Sequence, residues 1–198
     1  ATERADGFGF LRNVALAQHL SERGREVQMY AVLRRAPPVV GNGRISGGSD
    51  VGTFAVQLAA GQTLVASMVA NEVLGSPMDA ILEITSPDGF RVAYNHDTYN
   101  LDPQIVFEAP AAGTYLVRTF AFPAQPNQSI SFSASASYIY RLTLTTAAFL
   151  DHAFPLAASQ QSPVELELRG WNIPQTAQFL TVEPSETQDE FTTLAHPE

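Results

Sequence analysis

Apolar and polar residues alternate with a period of two through residues 42–146, and this pattern constrains the fold of the 198-residue chain more than any other feature. Successive side chains of a β-strand point to opposite faces of a sheet, so the alternation is typical of strands with one face on a core and one in water. Seven segments alternate in this way or are continuously apolar, and they begin near Phe54, Leu64, Ala80, Ile105, Tyr115, Ile130 and Tyr140. We therefore predict a series of half-buried strands.

Turn residues separate these segments. Pro87-Asp88-Gly89 lies between two alternating stretches and indicates a β-hairpin. Glycine permits positive φ, and we expect the turn at Gly113 to need that freedom. The stretch Gly41-Asn42-Gly43 is also interpreted as a turn. Short strands with frequent turns and almost no helix predict an all-β fold, an antiparallel sandwich or barrel.

The first 40 residues differ in pattern from this middle region. Apolar residues from Phe10 to Leu20 fall near helical spacing and predict a short helix. Val27 to Leu33 alternates as a strand does, and Ala36-Pro37-Pro38 then starts a linker. We expect an N-terminal segment over 1–40, followed by a β-sandwich over 41–146.

Residues 147–198 form the third region. Strands are predicted at Phe154 to Ala158 and Val164 to Arg169, with a third at Phe179 to Val182, before a polar and acidic tail. Two or three strands do not close a sandwich by themselves. We therefore expect either a partial second β module or strands that dock on the first domain.

Composition removes several classes of function. The chain has 11 arginines, no lysine, no cysteine and 20 acidic residues, which gives a net charge of −9. Nucleic acids and anionic membranes need clustered positive charge, so we expect neither as the main partner. The missing cysteine excludes thiol nucleophiles, disulfides and cysteine-based metal sites, and the missing lysine excludes Schiff-base and P-loop chemistry.

Two further observations concern targeting. The sequence has no run of about 18 apolar residues, so we expect no membrane span. Ala1 to Arg4 lack the basic and apolar regions of a signal peptide, so we expect that a signal has been removed or that the chain is an internal segment of a longer protein.

The middle region resembles a known family in the order of its motifs. These are Asn42 to Ile45, Asp50, Phe54 to Val56, Ala60 to Gln62, Leu74 to Asp79, Pro87 to Gly89, Asn95 with Asp97, Asp102, Ile105 to Phe107, Ala109 to Tyr115, and Tyr140 to Leu142. In this order they resemble the bacterial pre-peptidase C-terminal domain over about residues 42–146, and Val164 to Asn172 resembles the start of an immunoglobulin-like module. The resemblance implies a jelly-roll-like β-sandwich attached to a secreted or cell-surface protein.

Related modules hold calcium with a Glu-Pro-Asn-Asp-like segment, from which Glu22 to Gln28 departs, and Gly52 replaces a second acid expected after Asp50. Oxygen ligands nevertheless concentrate in the stretch from Asn95 to Asp102, and calcium takes about six to eight oxygens. The candidate calcium ligands are Asp50, Asn95, Asp97 and Asp102. A second hypothesis is a remnant of the family's site, formed by Asp50 with Glu22 and Glu26. The alternative is that these side chains bind backbone amides of their own loops. No other cofactor is expected.

Four aromatic residues near predicted loops are candidate ligand contacts, namely Tyr94, Tyr99, Phe120 and Phe122. If exposed, their rings would form a platform for sugar rings or a protein groove. The alternative is that they pack in the core, because aromatic residues favour strands and cores.

The sequence contains neither a nucleophile elbow nor a His-Glu-x-x-His motif. Its four histidines, His19, His96, His152 and His196, are scattered. Neighbouring residues in a strand point to opposite faces, so we do not expect His96–Asp97 or Asp151–His152 to act as a dyad. We predict that the chain is not an enzyme.

The sequence thus favours a non-catalytic β-sandwich module of an exported bacterial protein, which binds, spaces or presents neighbouring domains of the same polypeptide. Two alternatives stay open. One is an accessory domain of a secreted protease or glycosidase whose catalytic domain lies outside this chain. The other is a carbohydrate- or collagen-binding module, whose partner would be an extracellular polysaccharide or protein.

Overall fold

The computed structural model describes residues 14–20, 27–33, 37–47, 50–125, 132–159 and 161–184. The chain divides into two compact units, residues 1–146 and 147–198. The strands of the first unit are β1 (Val14–Leu20), β2 (Val27–Leu33), β3 (Val39–Arg44), β4 (Gly52–Leu58), β5 (Thr63–Val69), β6 (Met78–Thr85), β7 (Arg91–Asn95), β8 (Gln104–Glu108), β9 (Gly113–Pro123) and β10 (Ile139–Thr145), and a short helix, α1 (Asn71–Leu74), follows β5.

Two sheets with the strand orders β1-β2-β4-β9-β6-β7 and β3-β10-β5-β8 make up the first unit. Among β3 to β10, every connection crosses from one sheet to the other, except the β6–β7 hairpin that was predicted around Pro87-Asp88-Gly89. Without β1 and β2 each sheet has four strands, and two four-stranded sheets connected in this way form a jelly roll. The predicted all-β, antiparallel, jelly-roll-like sandwich is therefore confirmed. Within it, β2 pairs with β4 in parallel through Ala31 and Val32.

Alternating side chains of both sheets build one core. On β6, Met78, Ala80, Leu82 and Ile84 are fully buried, and they share a hydrophobic cluster with residues of β4, β5, β8, β9 and β10. Burying a Met, Leu or Ile side chain stabilises the fold by about 1.5–3 kcal/mol. The odd-numbered residues of β6 point away from this core and form part of the opposite surface of the sheet.

The N-terminal helix prediction was wrong where it overlaps the described residues, because residues 14–20 form strand β1. This strand pairs with β2 along its whole length, from Val14 opposite Leu33 to Leu20 opposite Val27. Pairing satisfies the backbone groups of both strands and overrides the weak helical spacing. The strand predicted at 27–33 is β2 itself.

The turn predicted at Gly41-Asn42-Gly43 was also wrong. These residues lie inside β3, opposite Tyr140 to Leu142 of β10. Their glycines do not adopt the positive φ of a turn residue. Gly43 instead leaves room for the ring of Tyr140, which occupies the space that a Cβ would need.

The segment predicted as a strand from Ile130 to Ser137 is irregular over its described part, 132–137. Its serines bond locally: the Ser135 hydroxyl accepts the Ser137 amide and contacts the Ser137 hydroxyl. Serine side chains offer the backbone such local partners and so compete with strand pairing. The predicted half-buried strand was therefore wrong here, since Phe132 and Ala136 are exposed whereas Ser133 and Ser135 are half-buried.

Gly113 does not have the positive φ that was expected, in contrast to Gly61 and Gly89 in the neighbouring turns. It is the first residue of β9, and a Cβ there would lie 2.6 Å from Cγ of Pro87. Close approach of the Pro87 ring, and not backbone strain, is the reason for glycine at this position.

The second unit contains one antiparallel sheet of three strands, β11 (Phe149–Phe154), β12 (Val164–Trp171) and β13 (Phe179–Val182). The last two strands are those predicted. The strand predicted from Phe154 to Ala158 instead ends at Phe154, because Pro155 lacks the amide that a ladder needs. The tail after residue 184 lies outside the described residues. No helix in the described part of the chain is long and apolar enough to span a membrane.

Candidate functional site

The candidate site lies on the surface of the six-stranded sheet that faces away from the core, which we call the outer face. The register of β6 with β9 places Asp79 opposite Phe122, Ile81 opposite Phe120, and Glu83 opposite Arg118. On the other side of β6, Tyr94 of β7 lies opposite Glu83. Three adjacent strands therefore present aromatic and charged side chains side by side.

Aromatic rings form the first part of this surface. Phe132 packs against Phe120 and Phe122, with ring centroids 4.9 and 5.2 Å apart. Phe132 is 52% exposed and Tyr94 is 46% exposed, whereas Phe120 and Phe122 are half-buried. Three of the four aromatic residues predicted as ligand contacts thus share one face, and Tyr99 lies apart from them in the β7–β8 loop.

Ionic contacts hold the charged part of the outer face in place. Arg118 Nη1 donates to Glu83 Oε1 at 2.8 Å, and Arg91 Nη1 lies 3.9 Å from Glu83 Oε2. Glu83 is buried, so its two cationic neighbours compensate the cost of removing its charge from water. The Arg91 guanidinium also lies 5.0 Å from the ring centre of Tyr94, a cation–π contact that fixes the ring.

A cluster of possible metal ligands lies next to these rings. Asp79, His96 and Asp97 each place one ligand atom within 4.8 Å of the others, and no other such group of three acidic or histidine residues occurs in the described ranges. His96 Nδ1 lies 2.7 Å from Asp97 Oδ2, and the His96 ring centroid lies 5.6 Å from that of Tyr94.

Both adjacent histidine–aspartate pairs are in contact, contrary to the expectation from strand alternation. His96 and Asp97 follow the last residue of β7, where alternation no longer applies. His152 Nδ1 lies 3.3 Å from Asp151 Oδ2 within β11, at an irregularity where the register with β12 shifts. An extra residue in a strand breaks the alternation of its side chains.

Asp79 and His96 are the members of the cluster that the sequence did not identify as metal ligands. The Oδ1 atom of Asp79 is buried and has no hydrogen-bond partner. Burial raises the pKa of the Asp79 carboxyl, the Asp97 carboxylate raises it further, and His96 partly opposes both effects. The signal that could have identified Asp79 as a neighbour of His96 and Asp97 is the register of the β6–β7 hairpin. This register places the residues after Asn95 alongside the start of β6.

The other predicted calcium ligands bind backbone groups. Asp50 Oδ2 accepts the amides of Ser46 and Gly47, at 2.9 and 2.7 Å. Asn95 Oδ1 accepts the backbone amide of Gln104 at 3.3 Å, and it also accepts the side-chain hydroxyl of Thr98 at 2.8 Å. Asp102 accepts three amides at the start of α1. Glu22 and Glu26 lie outside the described residues.

The Asp79→Asn variant should be more stable than the native chain at pH 7. A carboxyl whose pKa is raised by folding contributes stability below its unfolded pKa, and that contribution disappears as the pH rises through the folded pKa. The ionised group therefore weakens the fold at neutral pH, and the neutral amide removes this effect. We expect a higher Tm at pH 7 and a much smaller gain at pH 3, measured by calorimetry in EDTA. Asp88→Asn, at an exposed turn, is the control, and an equal gain at both pH values would contradict the argument.

A separate cleft of about 490 Å³ opens between the α1–β6 connection and the end of β9. It is lined by Asn71, Gly75, Ser76, Pro77, Pro123, Ala124, Gln125 and Tyr138. Two of its polar side chains are already used internally, since Asn71 Nδ2 donates to the Ser76 carbonyl and Ser76 Oγ donates to the Ser137 carbonyl.

No protein-family model matches the chain, and no curated protein matches it. Among solved structures, the chain is similar to a periplasmic lysozyme inhibitor of g-type lysozyme from Aeromonas hydrophila, with 16% identity and a TM-score of 0.36 over 69% of this chain and 90% of that one. It is also similar to the pre-peptidase C-terminal domain of a collagenase from Bacillus anthracis, with 13% identity and a TM-score of 0.43 over 59% of this chain and 96% of that one. The second of these carries the name of the family that the sequence motifs resemble.

Proposed function

We propose that the chain is a non-catalytic accessory module of an exported protein, and that it binds an extracellular polysaccharide or matrix protein through the outer face. The observation that carries this proposal is the set of four partly exposed aromatic rings on that face, Tyr94, Phe120, Phe122 and Phe132. Bulky rings left partly in water and next to one another are typical of interaction surfaces.

The charged groups of the face complement its rings. Glu83 is buried and Arg118 donates to it at 2.8 Å, so a ligand that meets this pair does not have to order its two side chains. Such preorganisation lowers the entropic cost of binding. A shallow surface with rings and paired charges suits a polymer that lies across it, because a polymer can contact several rings at once.

Binding to an array of extracellular polysaccharides and matrix proteins tests the proposal. Tyr94→Ala and Phe132→Ala should each weaken binding of the native ligand, because each removes a partly exposed ring of the outer face. The matched control is Phe179→Ala, which removes a ring that is 58% exposed in the second unit. The proposal would be contradicted if the native chain bound nothing on the array, or if all three variants lost binding affinity equally. So would a hydrolytic activity that a point mutation abolishes.

The motifs of residues 42–146, which follow the order found in pre-peptidase C-terminal domains, support a second proposal. In it, this module belongs to a secreted protease or glycosidase, and residues 147–198 begin a further β module. The reading frame that encodes the chain decides between the two. A catalytic motif such as that of a zinc protease in the same polypeptide would support the second proposal, whereas a frame made only of repeated β modules would contradict it.

A further inference from the structure

Asp79, His96 and Asp97 come from two parts of the first unit that the fold brings together. Asp79 is the second residue of β6, and the other two follow the end of β7. Their ligand atoms lie within 4.8 Å of one another. Ligands of a tetrahedral zinc ion are about 3.4 Å apart, as follows from bond lengths of about 2.0–2.1 Å. To hold an ion, the widest pair of these atoms would have to approach by up to about 1.4 Å, while His96 Nδ1 and Asp97 Oδ2, which lie 2.7 Å apart, would have to separate by about 0.7 Å.

The side chains that must move are free to do so. The His96 and Asp97 side chains are 45% and 50% exposed, so a change of rotamer does not disturb the core. Asp79, in contrast, lies within β6, where its backbone is paired with Phe122 of β9. One anchored carboxylate and two adjustable ligands fit a site that closes when an ion arrives.

The buried Oδ1 atom of Asp79 is an independent sign that a partner is missing. Buried polar atoms without a hydrogen bond are rare in folded proteins, and an ion or a water often explains them. The Asp97 carboxylate lies beside that of Asp79, and a cation between them would offset the repulsion of the two negative charges.

We propose that Asp79, His96 and Asp97 bind a divalent transition-metal ion of the zinc type. An imidazole nitrogen suits zinc and its neighbours in the first transition series, whereas calcium and magnesium prefer oxygen ligands throughout. Two carboxylates balance the charge of a divalent ion. Water completes the coordination on the exposed side. This ligand set differs from the calcium set suggested by the sequence, with which it shares only Asp97, and it does not depend on whether the outer face binds a polymer.

Such an ion would tie β6 to the β7–β8 loop beside Tyr94. Binding to the folded chain raises the free energy of unfolding by mass action. The contact between His96 Nδ1 and Asp97 Oδ2, at 2.7 Å, already places these two ligands next to each other.

Titration of the full 198-residue chain with zinc chloride, followed by calorimetry and by Tm, tests this inference. We expect saturable zinc binding with a rise in Tm, and little response to calcium or magnesium at the same concentration. Asp79→Asn and His96→Ala should each weaken zinc binding by about tenfold or more, because even residues that only support metal ligands contribute that much. Circular dichroism of each variant checks that it is folded.

His152→Ala is the matched control. His152 also contacts a neighbouring aspartate, at 3.3 Å, and is 48% exposed, but its pair belongs to no group of three ligands within the described ranges. Its substitution should leave zinc affinity unchanged. Cobalt(II) gives a second measurement, since its visible absorption should change on binding to the native chain and not to Asp79→Asn. Equal zinc affinity in the native chain and Asp79→Asn, or a larger rise in Tm with calcium than with zinc, would overturn the proposal.

Discussion

The Gly43→Ala variant should lose about 3 kcal/mol of unfolding free energy, because the added methyl group overpacks the core. A Cβ at this position would overlap Cζ and Oη of Tyr140 and lie 2.7 Å from its Cε2. Tyr140 is only 3% exposed, so its ring has no free space on the solvent side. The expected fall in Tm is about 6–12 °C for a chain of this size.

The ring of Tyr140 also cannot move toward β4. A Cβ on Gly52 would lie 2.9 Å from Tyr140 Oη and 2.8 Å from Thr119 Cγ2, which shows how closely that side is already packed. Burial also raises the pKa of the Tyr140 hydroxyl, so the ring stays uncharged well into the alkaline range. The slot between the two glycines therefore fits one orientation of a neutral ring.

Chemical denaturation measures the effect, with Asn42→Ala as the control on the same strand. Asn42 is exposed, and its Oδ1 only accepts a bond from Arg141 Nε at 3.0 Å, so its loss should change the stability little. Combining Gly43→Ala with Tyr140→Leu should cost less than the sum of the two changes, because the smaller side chain leaves room for the methyl group. Additive losses, or a Gly43→Ala variant as stable as Asn42→Ala, would show that Gly43 does not serve the Tyr140 ring.

Gly43 also shows where sequence reasoning on the fold stops. Alternation predicted most strands of the sandwich, because a half-buried strand must repeat every two residues. A glycine, however, has the same letter in a turn and in a strand that passes close to a ring. Only the partner strand distinguishes the two, and Tyr140 lies almost 100 positions away in the sequence. The serine-rich segment before β10 gave the opposite error, since its alternating sequence predicted a strand and the local hydrogen bonds of its serines were not foreseen.

The candidate site was predictable in part. Tyr94, Phe120 and Phe122 were chosen as aromatic residues near loops, and their common face follows from the strand register. Phe132 was assigned to a strand, so its packing on Phe120 was missed. Asp79 was missed as a ligand because it lies in a strand, where a carboxylate is usually only the solvent side of an alternating pattern. To predict that Asp79 lies close to His96 and Asp97, one needs the register of the β6–β7 hairpin. One also needs to know that β7 ends at Asn95, so that side chains no longer alternate after it.

Both carboxylate oxygens of Asp102 accept hydrogen bonds, in contrast to Oδ1 of Asp79. Removing the Asp102 side chain should therefore cause the second large loss of stability. Asp102 is 3% exposed. Its Oδ1 accepts the amides of Ala70 and Asn71 at 3.1 and 2.7 Å, and its Oδ2 accepts that of Glu72 at 3.2 Å. These are the free amides at the start of α1, whose own N-cap residue, Ala70, supplies no side-chain bond. A residue about thirty positions away in the sequence therefore caps the helix.

The Asp102→Ala variant should lose about 2–4 kcal/mol of unfolding free energy, because amides that lose a charged acceptor in a buried site keep their desolvation cost. Asp102→Asn, which retains one carbonyl oxygen, should lose less. Asp50→Ala is the control, since Asp50 binds two turn amides in an exposed position and should cost about 1 kcal/mol or less. Hydrogen exchange at the amides of Asn71 and Glu72 should accelerate in Asp102→Ala. Equal losses of stability in Asp102→Ala and Asp50→Ala would contradict the capping role.

Millimolar calcium should leave the Tm of the native chain nearly unchanged, because the carboxylate oxygens of Asp102 already accept amides. A calcium-dependent rise in Tm that Asp102→Ala abolishes would instead make Asp102 a calcium ligand, as the sequence alone had suggested.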